Sequence, residues 1–471
     1  MKIIFVYKGR YFVQDVVVIE TLSAIAKRYG HETFLLFDQD VFGSSDNVIS
    51  SPWLHRLFTH PERFEKELSK IDPDLIVFYD PIHLNERWNF SFIDRAGLSR
   101  YKVKTVCLSY FEVSDPGIFN FVLLGEPEHT FNVFLRERHY LGNQSVFHDS
   151  RLADLNALPV PDKELFAGHI DLNNSYLIFT SKGCPASCSY CIETVLKDHI
   201  KADYFRQRSP ANVLEELLEA KRLYGVKEII YKDSIFTFNK DWLKEYLSLY
   251  RDHIDLPYKC FAKVGNFDLE IANMLKYSRC YCVEFGVQTF NESIKRDVLD
   301  RVESVAALKR AFAICDQVQL QYDVDHLFGV PGECVDDHLM AAKVYVGLQS
   351  LNRIKCHNLV VYPNAKISRY FSGKISDEES YQAGFFSFVA GSSSMKAANA
   401  CFQKYFKVLP LLPIFMNDFL QNKNRWNIFR FVPNVVIIVI MFILAVKNGD
   451  KRFEIYVKYY FIKVFQAIVR K

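Results

Sequence analysis

Apolar and polar positions along the first 125 residues alternate between short hydrophobic runs and stretches with hydrophobic residues at helical spacing. The hydrophobic runs cover residues 2–7, 32–37, 74–80, 104–110 and 119–125. Residues 15–30 have helical spacing and end on Gly30, a residue type that often terminates a helix. This alternation predicts an α/β domain with a mostly parallel sheet.

A second alternating region follows a less regular, proline-containing connector. Its six predicted strands are residues 175–181, 228–233, 258–264, 280–288, 319–329 and 354–362. Helical patterns such as residues 210–225 separate them. Six βα units in succession predict a barrel or partial barrel with its functional loops at the carboxyl ends of the strands.

The C-terminal region is more hydrophobic. Its uninterrupted apolar run, Val435 to Val446, has 12 residues, fewer than the roughly 20 that span a bilayer. Residues 447–471 carry 7 basic and 2 acidic side chains. Two interpretations stay open: an interfacial segment whose lysines meet anionic headgroups, or a hydrophobic helix packed on the barrel with a solvated basic tail.

The composition argues against a nucleic-acid-binding protein and against a secreted, disulfide-rich one. A formal net charge of +3, from 58 basic and 55 acidic side chains, argues against nucleic acid as a partner. The 11 cysteines are unevenly spaced in a long chain, which is not typical of a secreted disulfide framework. Charge interrupts the apolar start after Tyr7, so we expect a cytoplasmic protein without a signal peptide.

Three cysteines are the most specific chemical signal. Cys184, Cys188 and Cys191 lie in GCPASCSYC, directly after the first strand of the second region. Three thiolates on one short loop can hold three irons of a [4Fe–4S] cluster and leave the fourth iron open to a substrate or cofactor. The alternative is a zinc site, but zinc prefers four closed ligands, and the nearest histidine, His199, is on a predicted helix.

The segment CPASCSYC resembles the CxxxCxΦC signature of the radical S-adenosylmethionine (SAM) superfamily, with Tyr190 as its aromatic residue. The resemblance implies that SAM chelates the open iron through its amino and carboxylate groups. It also implies an electron donor such as flavodoxin or ferredoxin. One electron then cleaves SAM to methionine and a 5′-deoxyadenosyl radical, which abstracts hydrogen from an unactivated carbon.

Two further segments resemble the family in its own order. YKDSIFTFN retains Asp233, which the resemblance places on the SAM amino group, and has Ser234 where a second aspartate is usual. The alternative role of Asp233 is a helix N-cap or a turn. FAKVGNFD has Lys263 where arginine is usual, and lysine supplies a point charge where arginine makes a fork.

Later segments complete the resemblance, which covers residues 175–370. In EFGVQTF, Gln288 is expected to reach the SAM ribose. In LVVYPNAK, Val361 and Pro363 belong to a strand that contacts adenine, and Asn364 replaces a glycine, followed by an alanine in place of threonine. The catalytic residues are not indicated by any motif.

Other candidates have ordinary structural explanations. Gly329 and Gly332 of the DHLFGVPGE segment are expected in a turn. Cys280 and Cys282 are two apart on a strand and are expected to be core thiols. His326 either lines the barrel mouth or is a core histidine.

The order of the segments also resembles a class within the superfamily. An α/β domain, GEPEHTF at residues 125–131 and a connector at 158–166 precede the cluster loop. This resembles radical SAM proteins with an N-terminal cobalamin-binding domain, which include C-methyltransferases and the anaerobic magnesium-protoporphyrin monomethyl ester cyclase. The D-x-H-x-x-G motif is absent from the domain. Either cobalamin binds without a histidine ligand, or the domain is a scaffold that has lost it.

The sequence therefore predicts an α/β protein. We expect a Rossmann-like, cobalamin-binding-like domain at 1–150, a linker at 151–174, a (β/α)6 partial barrel at 175–372 and a helical, partly hydrophobic region at 373–471. The first functional hypothesis is an oxygen-sensitive, cytoplasmic radical SAM enzyme acting on an unactivated carbon of a small-molecule or lipid-like substrate, with peripheral attachment at the inner membrane face left open. The alternatives are a cobalamin-dependent C-methyltransferase and a non-catalytic iron–sulfur sensor or scaffold.

Overall fold

The computed structural model describes most of the chain. The described residues are 1–9, 13–39, 62–82, 89, 92, 103–143, 145–170, 172, 173, 175–201, 203–362, 364–371, 393–447, 460 and 461. They form two compact units. The first contains the described residues up to Leu172 together with 199–208, and the second contains 173–198 and the described residues from 209 to 461.

The first unit has one parallel six-stranded sheet in the order β2-β1-β3-β4-β5-β6. The strands are β1 (Lys2–Gly9), β2 (Glu32–Gln39), β3 (Leu75–Tyr79), β4 (Lys104–Ser109), β5 (Phe121–Gly125) and β6 (Ser145–Asp149). The helices are α1 (Gln14–Arg28), α2 (Glu62–Ile71) and α3 (Pro127–Arg136). The predicted Rossmann-like fold is confirmed.

The strands of this unit that the sequence predicts are largely buried, which is why they appear as apolar runs in the sequence. All five residues of β3 and of β5 are buried, as is usual in a parallel sheet covered by helices. Strand β6 was not predicted, since four of its five residues are not buried and it therefore lacks an apolar run. The strand order reverses between β1 and β3, and doubly wound sheets bind ligands outside the carboxyl ends at such a point.

The second unit has six parallel strands that follow the chain order across the sheet, β7-β10-β11-β12-β13-β14. They are β7 (Tyr176–Ile178), β10 (Ile229–Tyr231), β11 (Tyr258–Ala262), β12 (Cys280–Gln288), β13 (Gln321–Phe328) and β14 (Leu351–Asn358). Two short strands, β8 (Ser181–Lys182) and β9 (Arg206–Gln207), lie between β7 and β10 in the chain. Six parallel strands in chain order confirm the predicted partial barrel.

Helices alternate with these strands and cover one face of the sheet. They are α4 (Ile192–Ile200), α5 (Pro210–Tyr224), α6 (Lys240–His253), α7 (Leu269–Tyr277), α8 (Val305–Val318) and α9 (Val335–Val346). The core between sheet and helices is rich in aromatic residues, including Tyr231, Tyr246 and Phe312. One face of the sheet is therefore buried against the helices, and the other is left to form the barrel interior.

The C-terminal part of the second unit is helical, as the sequence predicts. It contains α10 (Ser393–Val408), α11 (Ile414–Gln421), a 3₁₀ segment (Asn422–Arg430) and α12 (Asn434–Lys447). Within the described ranges, no helix has by itself the length and apolar character of a membrane span. The adjacent segments Asn424–Arg430 and Asn434–Ile443 have that length and apolar character only when they are taken together. They are bent by 105° at their junction.

The structure shows where the cysteine pair of β12, His326 and the two turn glycines lie. Cys280 and Cys282 are buried core thiols, as expected. His326 is a core histidine: it is buried, and its Nδ1 lies 3.0 Å from the hydroxyl oxygen of Tyr345. Gly329 and Gly332 both have a φ of +83°, which fits their expected turn.

Gly125 at the end of β5 tests the packing of the first sheet. Its φ is +133°, and a Cβ atom there would lie 2.1 Å from the carbonyl oxygen of Asp149 on β6. We expect Gly125→Ala to lower the free energy of unfolding by about 3 kcal/mol, measured as a lower urea midpoint. A Cβ on Gly168 meets no atom within 4 Å, so Gly168→Ala is the matched control. Equal midpoints for the two variants would contradict this account.

Candidate functional site

The cysteine loop lies between β8 and α4, on the carboxyl side of the first barrel strand. Cys184 is buried, and Cys188 and Cys191 are half-buried. The Cys191 amide donates to the Cys188 carbonyl at 3.2 Å, and the Cys191 carbonyl accepts from the Thr194 amide at 3.1 Å. Helix α4 therefore begins directly after the third cysteine and holds the end of the loop.

Ser189 anchors the middle of the loop to two distant segments. Its amide donates to the Leu299 carbonyl at 3.0 Å, and its hydroxyl donates to the Val298 carbonyl at 2.6 Å. The Ile367 amide donates to the Ser189 carbonyl at 3.0 Å. The loop is thus held by the segments that follow β12 and β14, so its position depends on the assembled barrel.

Tyr190 is held by Arg301, whose side chain is 10% exposed and which sequence reasoning missed. Arg301 donates from Nη1 to the Tyr190 hydroxyl at 3.1 Å and from Nη2 to the Gly286 carbonyl at 2.7 Å. Its Nε donates to the Glu303 carboxylate, which also lies 3.5 Å from the Lys295 ammonium. Arg301 therefore connects the cysteine loop to β12 and has a buried counter-charge.

Gln288 adopts a backbone conformation that non-glycine residues seldom take. Its φ is +67°, it is buried, and the register between β12 and β13 shifts between Gly286 and Gln288. A Cβ on Gly286 would lie 2.9 Å from Gln288 Nε2 and 3.4 Å from Arg301 Nη1. A larger residue at 286 would therefore displace the end of the Gln288 side chain. The backbone strain at Gln288 is of a kind typical of functional sites.

Asp233 follows β10 and is completely buried. Its Oδ1 accepts from the Thr180 amide at 3.0 Å, the Thr180 hydroxyl at 2.7 Å and the Ser181 hydroxyl at 2.6 Å. Its Oδ2 has no hydrogen-bond partner among the described residues. Burial raises the pKa of this carboxyl group. Asp233 does not cap the next helix, because Asn239 does so.

Thr237 in the same segment was not predicted as a site residue. It is buried, and its hydroxyl oxygen has no hydrogen-bond partner in the described parts of the chain. A buried unsatisfied hydroxyl costs free energy unless a ligand or water meets it. The family-like F-T-x-N pattern in residues 231–239 was the signal that could have indicated Thr237.

The segment after β14 contains the last predicted contacts. Val361 is buried, whereas Pro363 lies outside the described residues. Asn364 has a φ of +63°, in the left-handed region that asparagine tolerates better than most residues. The replacement of the family's glycine by asparagine therefore keeps the local backbone conformation available.

The donor set of the loop suits a cluster. Burial raises the pKa of Cys184 to about 11 and of Cys191 to about 12. The positive charge of Lys263 acts on Cys184 in the opposite direction. Iron takes cysteine as thiolate, so these buried thiols would give up their protons on binding. Within the described ranges no three His, Cys, Asp or Glu side chains surround one metal ion, whereas a [4Fe–4S] cluster takes one thiolate per iron.

Charged side chains line the barrel interior, and sequence reasoning missed them. Neighbouring residues such as Tyr258, Val283, Tyr322 and Ile354 belong to the helix-facing core, so alternate positions face the other way. The alternate positions include the following charged residues: Lys259, Glu284, Asp323, Asp325, Arg353, Lys355 and His357. A charge repeated at alternate positions of otherwise apolar strands was the available signal.

These charges are paired. The Lys259 ammonium lies 2.6 Å from Glu284 Oε2 and 2.5 Å from Asp323 Oδ2, and all three side chains are buried. Near the carboxyl ends of the strands, His357 Nε2 lies 3.2 Å from Asp325 Oδ1, and His357 is the more exposed partner. The interior thus becomes more accessible towards the end that carries the cysteine loop.

The first unit resembles cobalamin-binding domains in fold, and its described residues show no histidine in a D-x-H-x-x-G motif. In sheets of this kind ligands bind outside the carboxyl ends of the strands at the point where the strand order reverses, here between β1 and β3. Residues 10–12 and 40–61 lie outside the described residues. One described imidazole, His199, lies 4.5 Å from the ring of Phe111, which follows β4 at the same edge. It is an exposed side chain, and no contact fixes it towards a cobalt atom.

Comparison with known proteins agrees with this geometry. Residues 178–354 match the family model described as Radical SAM superfamily. Most of the barrel strands and the cysteine loop thus lie in the part of the chain that matches the radical SAM model. A [4Fe–4S] cluster and SAM are the cofactors that a radical SAM domain implies.

Curated relatives that match are named methyltransferases. An uncharacterized methyltransferase of Pyrococcus horikoshii is 27% identical over 139 residues, 29% of this chain and 29% of the relative. The tryptophan 2-C-methyltransferase of Streptomyces laurentii is 27% identical over 178 residues, 34% of this chain and 28% of the relative. The matched regions thus span less than a third of these relatives.

Solved structures share the fold over more of the chain. The cobalamin-dependent S-adenosylmethionine radical enzyme OxsB has a TM-score of 0.63 at 11% identity, covering 100% of this chain and 79% of that one. TsrM from Kitasatospora setae, a radical SAM methyltransferase solved with cobalamin and a [4Fe–4S] cluster, has a TM-score of 0.54 at 15% identity, covering 78% and 73%. The chain therefore has the fold of the class with an N-terminal cobalamin-binding-like domain.

Arg301 provides a test of the loop anchor. Arg301→Met leaves Glu303 buried with only the more distant Lys295, so we expect the free energy of unfolding to fall by about 3 kcal/mol. We also expect less iron after anaerobic reconstitution, because Tyr190 loses its partner. The control is Arg296→Met, which removes an exposed arginine paired with exposed Asp297. Unchanged unfolding and iron content in Arg301→Met would show that the anchor is dispensable.

Proposed function

We propose that this protein is a cobalamin-dependent radical SAM methyltransferase that adds a methyl group to carbon of a small molecule. The observation that carries the proposal is the fold: a doubly wound parallel sheet precedes a partial barrel with a three-cysteine loop, as in OxsB and TsrM. The methyltransferase names of the curated relatives support the same class. They favour methyl transfer over the first hypothesis of hydrogen abstraction alone.

The residues have distinct roles in this proposal. Cys184, Cys188 and Cys191 hold the cluster and leave one iron open. When bound, the cluster and SAM supply the electron and the radical, and cobalamin supplies a methyl carrier. Asp233 accepts a hydrogen bond from the SAM amino group through Oδ2, the atom that has no hydrogen-bond partner among the described residues. Gln288 is pre-positioned by its strained backbone to reach the ribose.

The remaining SAM contacts are apolar. Val361 and Pro363 lie against the adenine in this proposal. The Val361 segment is fixed to the sheet because the Leu359 amide donates to the Phe328 carbonyl at 2.8 Å. Tyr190, the residue before the third cysteine, is held in place by Arg301. A half-buried cluster of this kind is oxygen-sensitive, and a flavodoxin or ferredoxin supplies its electron.

The barrel interior indicates the kind of substrate. Its charges, among them Lys259, Glu284 and Lys355, are paired with one another, and His357 at the mouth is partly exposed. A wholly apolar molecule would cover the exposed polar atoms of His357 and Asp325 without offering them hydrogen bonds, which is costly. We therefore expect the reacting end of the substrate to be polar, even where the rest of the molecule is lipid-like. His357 and Asp325 are the accessible pair that such an end meets.

Removal of one cluster ligand tests the radical chemistry. We expect Cys188→Ala, reconstituted anaerobically with iron and sulfide, to form no 5′-deoxyadenosine from SAM and dithionite, because the cluster loses a ligand. Cys334→Ser is the matched control, since Cys334 is an exposed cysteine outside the loop. Chromatography of 5′-deoxyadenosine is the measurement. A Cys188→Ala variant as active as the control rules out the cluster chemistry.

The fate of the SAM methyl group separates methyl transfer from the alternatives. A methyl group that leaves SAM leaves S-adenosylhomocysteine, whereas reductive cleavage leaves methionine and 5′-deoxyadenosine. We expect protein incubated with hydroxocobalamin to retain corrinoid, seen by its visible absorption, and to form S-adenosylhomocysteine under reducing conditions. Corrinoid-free protein that forms only 5′-deoxyadenosine would support hydrogen abstraction without cobalamin. Protein that holds a cluster and forms neither product would support the sensor or scaffold hypothesis.

A further inference from the structure

The C-terminal part of the second unit concentrates exposed apolar side chains. Outside residues 414–446, exposed large apolar side chains are scattered through the described chain. Inside that segment they are Ile414, Phe415, Met416, Phe419, Ile428, Phe431, Val435, Val436, Val439, Phe442, Ile443 and Val446. Phe415 and Phe431 are 72% and 81% exposed. Patches of this kind mark interaction surfaces.

Helix α12 is apolar on both of its faces. Ile437 is buried in the core of the second unit. Val435, Val439, Phe442 and Val446 follow one another at spacings of three and four residues and are exposed. A helix that is hydrophobic all round belongs either in a protein interior or in lipid. The face of α12 that carries Ile437 lies in the protein interior, so lipid suits the exposed face.

The geometry favours a position along a membrane surface. The 14 residues of α12 extend about 21 Å, shorter than a hydrocarbon core of about 30 Å. The preceding segment, Asn424–Arg430, turns away by 105°. Apolar side chains on short elements joined at such an angle can lie in the interface between headgroups and acyl chains.

Charge complementarity selects an anionic lipid surface. Arg425, Arg430 and Lys447 are exposed beside the apolar side chains, and the Arg425 guanidinium lies 4.1 Å from the centre of the Phe419 ring. In residues 409–447 there are four basic residues and one acidic residue, Asp418. Residues 448–471 add six basic and two acidic residues. Such basic, aromatic-rich segments meet anionic headgroups favourably.

We propose that residues 414–447 form a peripheral binding surface for anionic phospholipid bilayers. The apolar side chains of α11 and α12 enter the interface, and Arg425, Arg430 and Lys447 contact lipid phosphates. This surface does not depend on the reaction proposed above, because it uses no residue of the cysteine loop or of the barrel interior. It would bring the protein to lipid-like substrates.

Vesicle binding of the full chain tests the proposal. We expect the protein to sediment with vesicles of phosphatidylcholine and phosphatidylglycerol at least about ten-fold better than with phosphatidylcholine alone, and binding to weaken as salt rises. We expect Phe415→Ser/Phe431→Ser to lower the binding about ten-fold. The matched control, Tyr277→Ser/Val302→Ser, replaces side chains that are 74% and 87% exposed elsewhere and leaves binding unchanged.

Three results would overturn the proposal. The first is that the unmodified protein binds neither kind of vesicle, and the second is that Phe415→Ser/Phe431→Ser binds as well as the control. The third is that sedimentation velocity shows an oligomer that dissociates in Phe415→Ser/Phe431→Ser while vesicles stay unbound, in which case a second copy of the chain covers the surface. The lipid and salt dependence of the unmodified protein needs no variant.

Discussion

The arrangement of the site depends on the hydrogen bonds of the largely enclosed Arg301 guanidinium. The guanidinium donates to Tyr190 in the cysteine loop and to Gly286 on β12, and Glu303 balances its charge. A buried cation is costly unless it is paired and its donors are satisfied. Arg301 meets that condition only when the loop and β12 lie side by side. The Arg301 guanidinium and the Gln288 side chain both lie next to Gly286, so the charge that holds the cysteine loop is close to a predicted SAM contact.

The charged side chains of the barrel interior are also paired, and they form a larger network than that of Arg301. Lys259 lies between two carboxylates on neighbouring strands, and Lys355 pairs with one of them, Glu284. A buried polar network is stable when every member is satisfied. The strands must therefore keep their register for these charged side chains to stay paired. The stability of the barrel is thus linked to the polarity of its interior, where we propose that the substrate binds. Towards the mouth, the more exposed His357 is the place where that network can exchange a protein or water partner for a ligand.

Much of this could be predicted from the sequence, and the failures have physical reasons. Buried strands such as β3 are recognisable in the sequence as apolar runs. The three cysteines are recognisable because they lie close together in the sequence. Strand β6 is an exposed edge whose residues show no such run. Arg301 and Tyr190 are 111 residues apart, and Lys259 and Asp323 are 64 apart. Pairings at such separations exist only in the folded chain, because no local pattern of residue types specifies which charges will meet.

The departures from the family pattern are the main argument for a non-catalytic scaffold, and the structure weakens it at one position. Asn364 replaces a glycine, yet it adopts the left-handed backbone conformation that a glycine would supply. Lys263 keeps a positive charge at the position where arginine is usual, although the fork of an arginine is lost, and that charge partly opposes the rise that burial causes in the pKa of Cys184. The buried Asp233 has an oxygen without a hydrogen-bond partner among the described residues, and such a group costs stability in a scaffold without chemistry. The retention of these costly features is better explained by a ligand that satisfies them.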